Sequence, residues 1–330
     1  MRPGGNNSFP AEKRVAVVTG GNRGIGLEIC KQLAANGVTV VLTARGEERG
    51  AGAAAALRRL GLSEVLFHQL DVAEPSSAAC LADFVRNKFG KLDILVNNAG
   101  ILGATFDFGG LDLDKAIEGK NANETLEWLG QHTVETSENA QECLRVNYHG
   151  AKNAIEALLP LLQSSPDGRI VTVSSSFGQL SFFSGEQLKE ELNNADRLSE
   201  ERIDELAELF VRDFRDGELE SRGWPARADR FMAYKTSKAL QNAYTRVLAR
   251  KHASSPLRVN CVHPGYVRTD MTLGTGELTV EEGAAGPVAG APSLAAGRRH
   301  GRVLRPHRTG VLRVIPPKAS GCSLFFISTS

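Results

Sequence analysis

The stretch TGGNRGIG, residues 19–26, constrains this chain more than any other, because of what flanks it. The apolar run VAVVTG leads into it and the helical pattern GLEICKQLAANG leads out, stopping at Asn36-Gly37 as helices commonly do. Its glycines fall at Gly20, Gly24 and Gly26, a GxxxGxG spacing. Glycines permit a tight turn and a close backbone approach. The unpaired N–H groups and dipole of the following helix then favour a pyrophosphate. Alone, such spacing describes many ordinary turns; between a strand and a helix it predicts a nucleotide loop, with Asn22, Arg23 and Ile25 completing it.

The rest of the chain repeats the strand–helix rhythm. VTVVLTAR (38–45), VLFHQLDV (65–72), LDILVNNAG (92–100), GRIVTVSSS (168–176) and LRVNCVHPG (257–265) read as strands. Helical patterns separate them at 47–61, 76–90, about 137–162 and about 234–252. Continuous apolar strands alternating with helices predict an α/β fold: a Rossmann-like, doubly wound parallel sheet with helices on both faces. Residues 178–230 break the rhythm. Ser199 reads as an N-cap followed by Glu200 and Glu201, and Ile203, Leu206, Phe210 and Phe214 share one face, so a helical insertion is expected. The organisation predicted is a leader over 1–12, one domain over 13–289 and a divergent tail over 290–330.

The end of the second strand bears on which nucleotide is expected. An NAD site places an acidic group there for the ribose hydroxyl. This chain has Arg45, with Arg23 inside the loop, and two guanidiniums suit the 2′-phosphate of NADPH/NADP+. Glu47 and Glu48 stand close by, and the alternative is a pair of solvated surface arginines.

Composition excludes several classes. No apolar run reaches membrane-spanning length, and the leader MRPGGNNSFPAEKR lacks the apolar stretch of a secretion signal, which predicts a cytoplasmic protein without a membrane partner. Five scattered cysteines, with no CxxC pair, predict free thiols rather than a disulfide frame or a metal site. After Glu282 there is no acidic residue, while the tail carries Arg298, Arg299, Arg302, Arg305, Arg308, Arg313 and Lys318. So abrupt a change is what a shifted reading frame or an alternative exon produces, and it is not read as a nucleic-acid patch. GVLRVIP (310–316) and SLFFI (323–327) are the tail's candidate edge strands; its proline and arginine content otherwise predicts poor order.

Taken together, TGGNRGIG, NNAG (97–100), Asn147 in LRVNYHG, Ser175 in VSSS, YKTSK (234–238) and PGYVRT (264–269) resemble the short-chain dehydrogenase/reductase family, in family order. The long gap before Tyr234, with GWP at 223–225, resembles the carbonyl reductase branch and its plant menthone, neomenthol and salutaridine reductase-like members. The resemblance implies hydride transfer from NADPH to the carbonyl of a ketone or aldehyde. Tyr234 would supply the proton, Ser175 would hydrogen-bond the oxygen, and Lys238 would hold the nicotinamide ribose. Asn147 would anchor a water in a proton relay. Tyr234 and Lys238, at i and i+4, share a helix face, so the lysine cation is expected to lower the phenol's pKa. In strand period, Ser174 and Ser175 point to opposite faces.

The same resemblance implies cofactor contacts from Asp71, Val72, Asn97, Ala99, Gly100, Pro264, Gly265, Val267 and Thr269. Plainer roles remain open: Asp71 as a cap, Asn97 and Asn98 as a turn, and His263, Tyr148 and Tyr266 as packing. Phe106, Phe108, Trp128, Phe177, Phe182 and Phe183 are candidate walls for a bulky terpenoid, alkaloid or similar carbonyl. The insertion is expected to cover the catalytic helix and favour a monomer. An alcohol dehydrogenase working in reverse and an impaired NADP-binding protein are the alternatives.

Overall fold

A computed structural model describes residues 13–226, 228 and 230–291, together with the backbone of 313–315 and 324–328. The leader predicted over 1–12 and most of the tail, Cys322 included, lie outside the described residues. The first half alternates as the apolar runs predict: β1 (Val15–Val18), α1 (Gly24–Ala35), β2 (Thr39–Ala44), α2 (Glu47–Arg59), β3 (Val65–Gln69), α3 (Pro75–Phe89) and β4 (Ile94–Asn97). A rim segment follows, with β5 (Thr105–Phe106), α4 (Leu113–Ile117), α5 (Ala122–Gln131) and β6 (Thr133–Val134). Then come α6 (Ser137–Leu144), α7 (Gly150–Gln163) and β7 (Arg169–Val173). The insertion holds α8 (Glu186–Asn193) and α9 (Glu200–Asp216). The chain continues through α10 (Met232–Lys251), β8 (Arg258–Val262), α11 (Val280–Gly290), β9 (Arg313–Ile315) and β10 (Leu324–Ser328).

The main sheet runs β3-β2-β1-β4-β7-β8-β10-β9. Its first six strands are parallel, while β10 pairs antiparallel with β8, Phe326 opposite Val262, and with β9. Side chains alternate across the pleat, so successive residues enter different cores. Val15 and Val17 join the core that includes residues of α3, α7 and α10, while Ala16 and Val18 join the core that includes Ile29 and Leu33 of α1 and Ala54 of α2. The strand order reverses between β1 and β4, and ligands bind such folds outside the strand ends at that point. The glycine loop after β1 and the NNAG turn after β4 both stand there.

The insertion forms as its pattern predicts. Ser199 Oγ accepts from Arg202 N at 3.1 Å, and Ile203, Leu206, Phe210 and Phe214 are buried. Helix α9 packs against α6 and α10. Trp224 is buried across it, its indole Nε1 donating to Asp213 Oδ2 at 2.9 Å. Among the described residues, no helix is long and apolar enough to cross a membrane, and no cluster of metal-ligating side chains occurs.

Candidate active site

Tyr234 and Lys238 lie in the first two turns of α10, a helix whose side chains are almost all withdrawn from solvent. Lys238 Nζ donates to the Val173 carbonyl at 2.9 Å and stands 5.6 Å from the Tyr234 ring centroid. Burial brings the Lys238 ammonium down to about 8. Burial also raises the Tyr234 phenol above its ordinary value; a hydrogen bond with Ser175 pulls it the other way, and the Cys143 thiol adds to the rise. The expected lowering of Tyr234 by Lys238 is therefore not what this geometry produces. Loss of hydration dominates, and the ammonium is turned toward a strand carbonyl instead of the phenol.

The two serines after β7 do not part to opposite faces: both meet α10, Ser174 at Asn242 and Ser175 at Tyr234. Ser174 Oγ donates to Asn242 Oδ1 at 2.6 Å, and Asn242 Nδ2 donates to Gly178 O at 3.1 Å, pinning the loop to α10. Ser175 is half-buried, and its Oγ accepts from Phe177 N at 3.2 Å in the turn that presents it to Tyr234.

Asn147 stands in a π-helical turn, Arg145–His149, that divides the single helix expected over 137–162 into α6 and α7. Its Nδ2 donates to Ile101 O and to Ser237 Oγ, both at 2.9 Å, and its Oδ1 accepts from Ile101 N at 2.8 Å. Gln241 Nε2 donates to the Asn147 carbonyl at 2.6 Å. The amide side chain is thus engaged on both ends, and it splices the π turn to α10 and to the Ile101 segment. Ser237 Oγ donates in turn to Tyr234 O at 2.8 Å, carrying the splice to the catalytic turn.

The glycine loop is held against the NNAG turn. Thr19 Oγ1 accepts from Asn98 N and Ala99 N, both at 3.0 Å, and Asn98 Nδ2 donates to Thr19 O and Gly20 O. A Cβ on Gly26 would stand 2.3 Å from the Gly20 carbonyl, so side chains are excluded from that crossing. Gly20 and Gly24 have φ of +64° and +53°. Asn97 is 3% exposed, yet neither end of its amide has a hydrogen-bond partner among the described residues. A dinucleotide fits this cradle: bare backbone N–H groups at a helix start, an unpaired buried amide, and cationic Arg23 and Arg45 at the rim.

Other expected contacts are placed less directly. Asp71 Oδ1 accepts from Ala73 N at 3.0 Å, closing a short turn ahead of α3. Arg23 Nη1 pairs with Asp270 Oδ2 at 2.6 Å, bridging the glycine loop to the segment after Thr269. Val72, Pro264 and Val267 are buried, whereas Ile25, Gly100, Gly265 and Thr269 are only half so and Arg45 is exposed.

The rim supplies an aromatic wall. Phe177 stacks on Phe231 at 5.8 Å and meets Tyr234 edge-on at 6.3 Å. Phe231 leads to Phe106, Phe106 to Phe108, and Phe108 to Trp128. Lys235 Nζ lies 4.3 Å from the Phe182 ring centroid. Phe183 does not join this wall; it is buried beside Trp224 beneath the insertion. Tyr148 is core as well, its hydroxyl donating to Asp204. Phe231, Ser237, Gln241, Asn242 and Glu135 escaped sequence reasoning. Only Ser237 carried a signal, its place inside YKTSK.

This arrangement of sheet, glycine loop and Ser–Tyr–Lys group defines an oxidoreductase. The family model described as short chain dehydrogenase matches residues 14–186, and a second, described as Enoyl-(Acyl carrier protein) reductase, matches 220–287. The chain is 51% identical over 284 residues to Short-chain dehydrogenase/reductase 1 of Saponaria officinalis, covering 86% of this chain and 91% of that one. It is 50% identical over 279 residues to (+)-neomenthol dehydrogenase of Arabidopsis thaliana, covering 83% and 90%. The solved structure of salutaridine reductase from Papaver somniferum aligns at a TM-score of 0.78 and 46% identity, over 84% of this chain and 95% of that one. The chain belongs to the short-chain dehydrogenase/reductase family.

Proposed function

We propose that this chain is an NADPH-dependent carbonyl reductase acting on a bulky, largely apolar ketone or aldehyde, with Tyr234 as general acid. The observation that carries the reading is the gathering of Tyr234, Ser175 and Lys238 at the foot of an aromatic wall. Reduction consumes a proton at the carbonyl oxygen, and the Tyr234 hydroxyl is the group placed beside Ser175 to give it. NADPH, when bound, supplies the hydride. Ser175 Oγ hydrogen-bonds the developing alkoxide while Tyr234 protonates it. Lys238 holds the nicotinamide ribose, and Arg45 and Arg23 read the 2′-phosphate.

The relatives' names support the substrate class, since neomenthol and salutaridine are both bulky ring compounds. Coverage of α10 by α9 supports a monomer. Cys30, Cys80 and Cys143 are free thiols, which suits a reducing cytoplasm. The test is turnover of cyclic ketones with NADPH by the wild type and by Tyr234→Phe. Loss of turnover with retained NADPH binding supports the reading; an active Phe variant removes Tyr234 from the chemistry.

A further inference from the structure

The start of the catalytic helix is held by a residue from elsewhere in the chain. Phe231, the N-cap of α10, has φ of +51° and offers no side-chain cap, and Arg230 before it has φ of +54°. Two consecutive non-glycine residues in the left-handed region are strained and need support from outside. Glu135 provides it: Oε1 accepts from Met232 N and Oε2 from Ala233 N, each at 3.2 Å. A carboxylate at a helix start satisfies unpaired N–H groups and matches the positive end of the dipole. The next residue along is Tyr234.

Glu135 lies between β6 and Thr136, whose side chain caps α6, the helix that leads into Asn147. It therefore joins three elements: the rim that carries Phe106, the helix that carries Asn147, and the turn that carries Tyr234. The rim leans on the same spot, because a Cβ on Gly130 at the end of α5 would touch the Arg230 side chain at 3.3 Å. Among the described residues, the charged side chain that bears on Glu135 is Lys235, on α10 itself.

We propose that Glu135 is a positioning residue for Tyr234, its carboxylate fixing the catalytic turn against the substrate rim. This rests on the reductase reading for its kinetic arm alone. The experiment compares Glu135→Ala and Glu135→Gln with wild type, by amide hydrogen exchange across residues 231–235 and by steady-state kinetics on a cyclic ketone the wild type turns over. Exchange in that turn should speed up in the Ala variant and less so in the Gln variant, which keeps one acceptor. Turnover should fall about 10- to 100-fold in Glu135→Ala, with KM and the NADPH dissociation constant within about twofold. Added formate, a carboxylate small enough for the vacated space, should restore part of kcat; a merely destabilised fold would gain nothing from it. Unchanged exchange at 232–234, or unchanged kcat, overturns the proposal. A wild type inactive on every ketone would instead count against the reductase reading, and the exchange result would still decide the role of Glu135.

Discussion

Asn147 and Ser237 belong to different helices and share one buried hydrogen bond of 2.9 Å. Ser237 passes that constraint to the carbonyl of Tyr234, so the π turn and the catalytic turn are tied by two successive hydrogen bonds. Ser237→Ala removes the oxygen acceptor of one Asn147 N–H and leaves it only the weaker Cys143 sulfur. A cost of about 1–3 kcal/mol is expected in a denaturant melt, with kcat lowered about tenfold by looser placement of the phenol. A variant as stable and as fast as wild type would show the splice to be idle.

Cofactor choice should sit on Arg45. Removing one guanidinium from a phosphate contact costs about 1.5–3 kcal/mol. Arg45→Ala should therefore weaken NADPH binding about tenfold or more while NADH binding stays within about twofold, as calorimetry would register. Arg23→Ala should have the smaller effect, because Arg23 already divides its charge with Asp270. Equal losses for the two nucleotides would mean that Arg45 does not read the 2′-phosphate.

His263 gives the fold an acid-side dependence. Burial lowers it from 6.5 to about 4, so the unfolded chain takes up its proton first as pH falls. Its contribution is whole above pH 6.5 and drains away between there and about 4, on the order of 3 kcal/mol in all. His263→Gln should flatten the fall in melting temperature across that window. Parallel slopes for the two proteins would dismiss the histidine as the cause.

The insertion should matter to stability and assembly but not to chemistry. Asp213→Ala strands the buried Trp224 indole N–H, and about 1–3 kcal/mol should be lost. Per folded molecule, kcat should hold. Sedimentation of the wild type should give a single species of monomer mass; a dimer would mean that α9 does not seal the face it covers.

How much of this was legible in the sequence depends on the distance over which each feature is specified. Tyr234 and Lys238 are four apart on one helix, so local pattern reached them, whereas the period of two did not part Ser174 from Ser175, which lie past the end of β7 and both meet α10. The π turn has no spacing rule, because what accommodates it is Ile101 from one segment and Ser237 and Gln241 from α10 gathering round Asn147. Glu135 meets Met232 across 97 residues of chain, which no local pattern encodes. The lysine's effect on the phenol failed for a related reason. Sequence spacing gives proximity, but hydration and the Val173 carbonyl settle where the charge acts.

Strand β10 returns antiparallel along β8, and the sheet ends in the three residues of β9. Pairing of this kind is made by amides and carbonyls, which are the same in every residue, so the seat beside Cys261 and Val262 does not discriminate by side chain. A chain cut after residue 291 would keep every group assigned to the chemistry. It would also offer Arg258–Val262 as a vacant template to its neighbours. The toll of losing the tail would be read in turbidity and shelf life long before it was read in turnover.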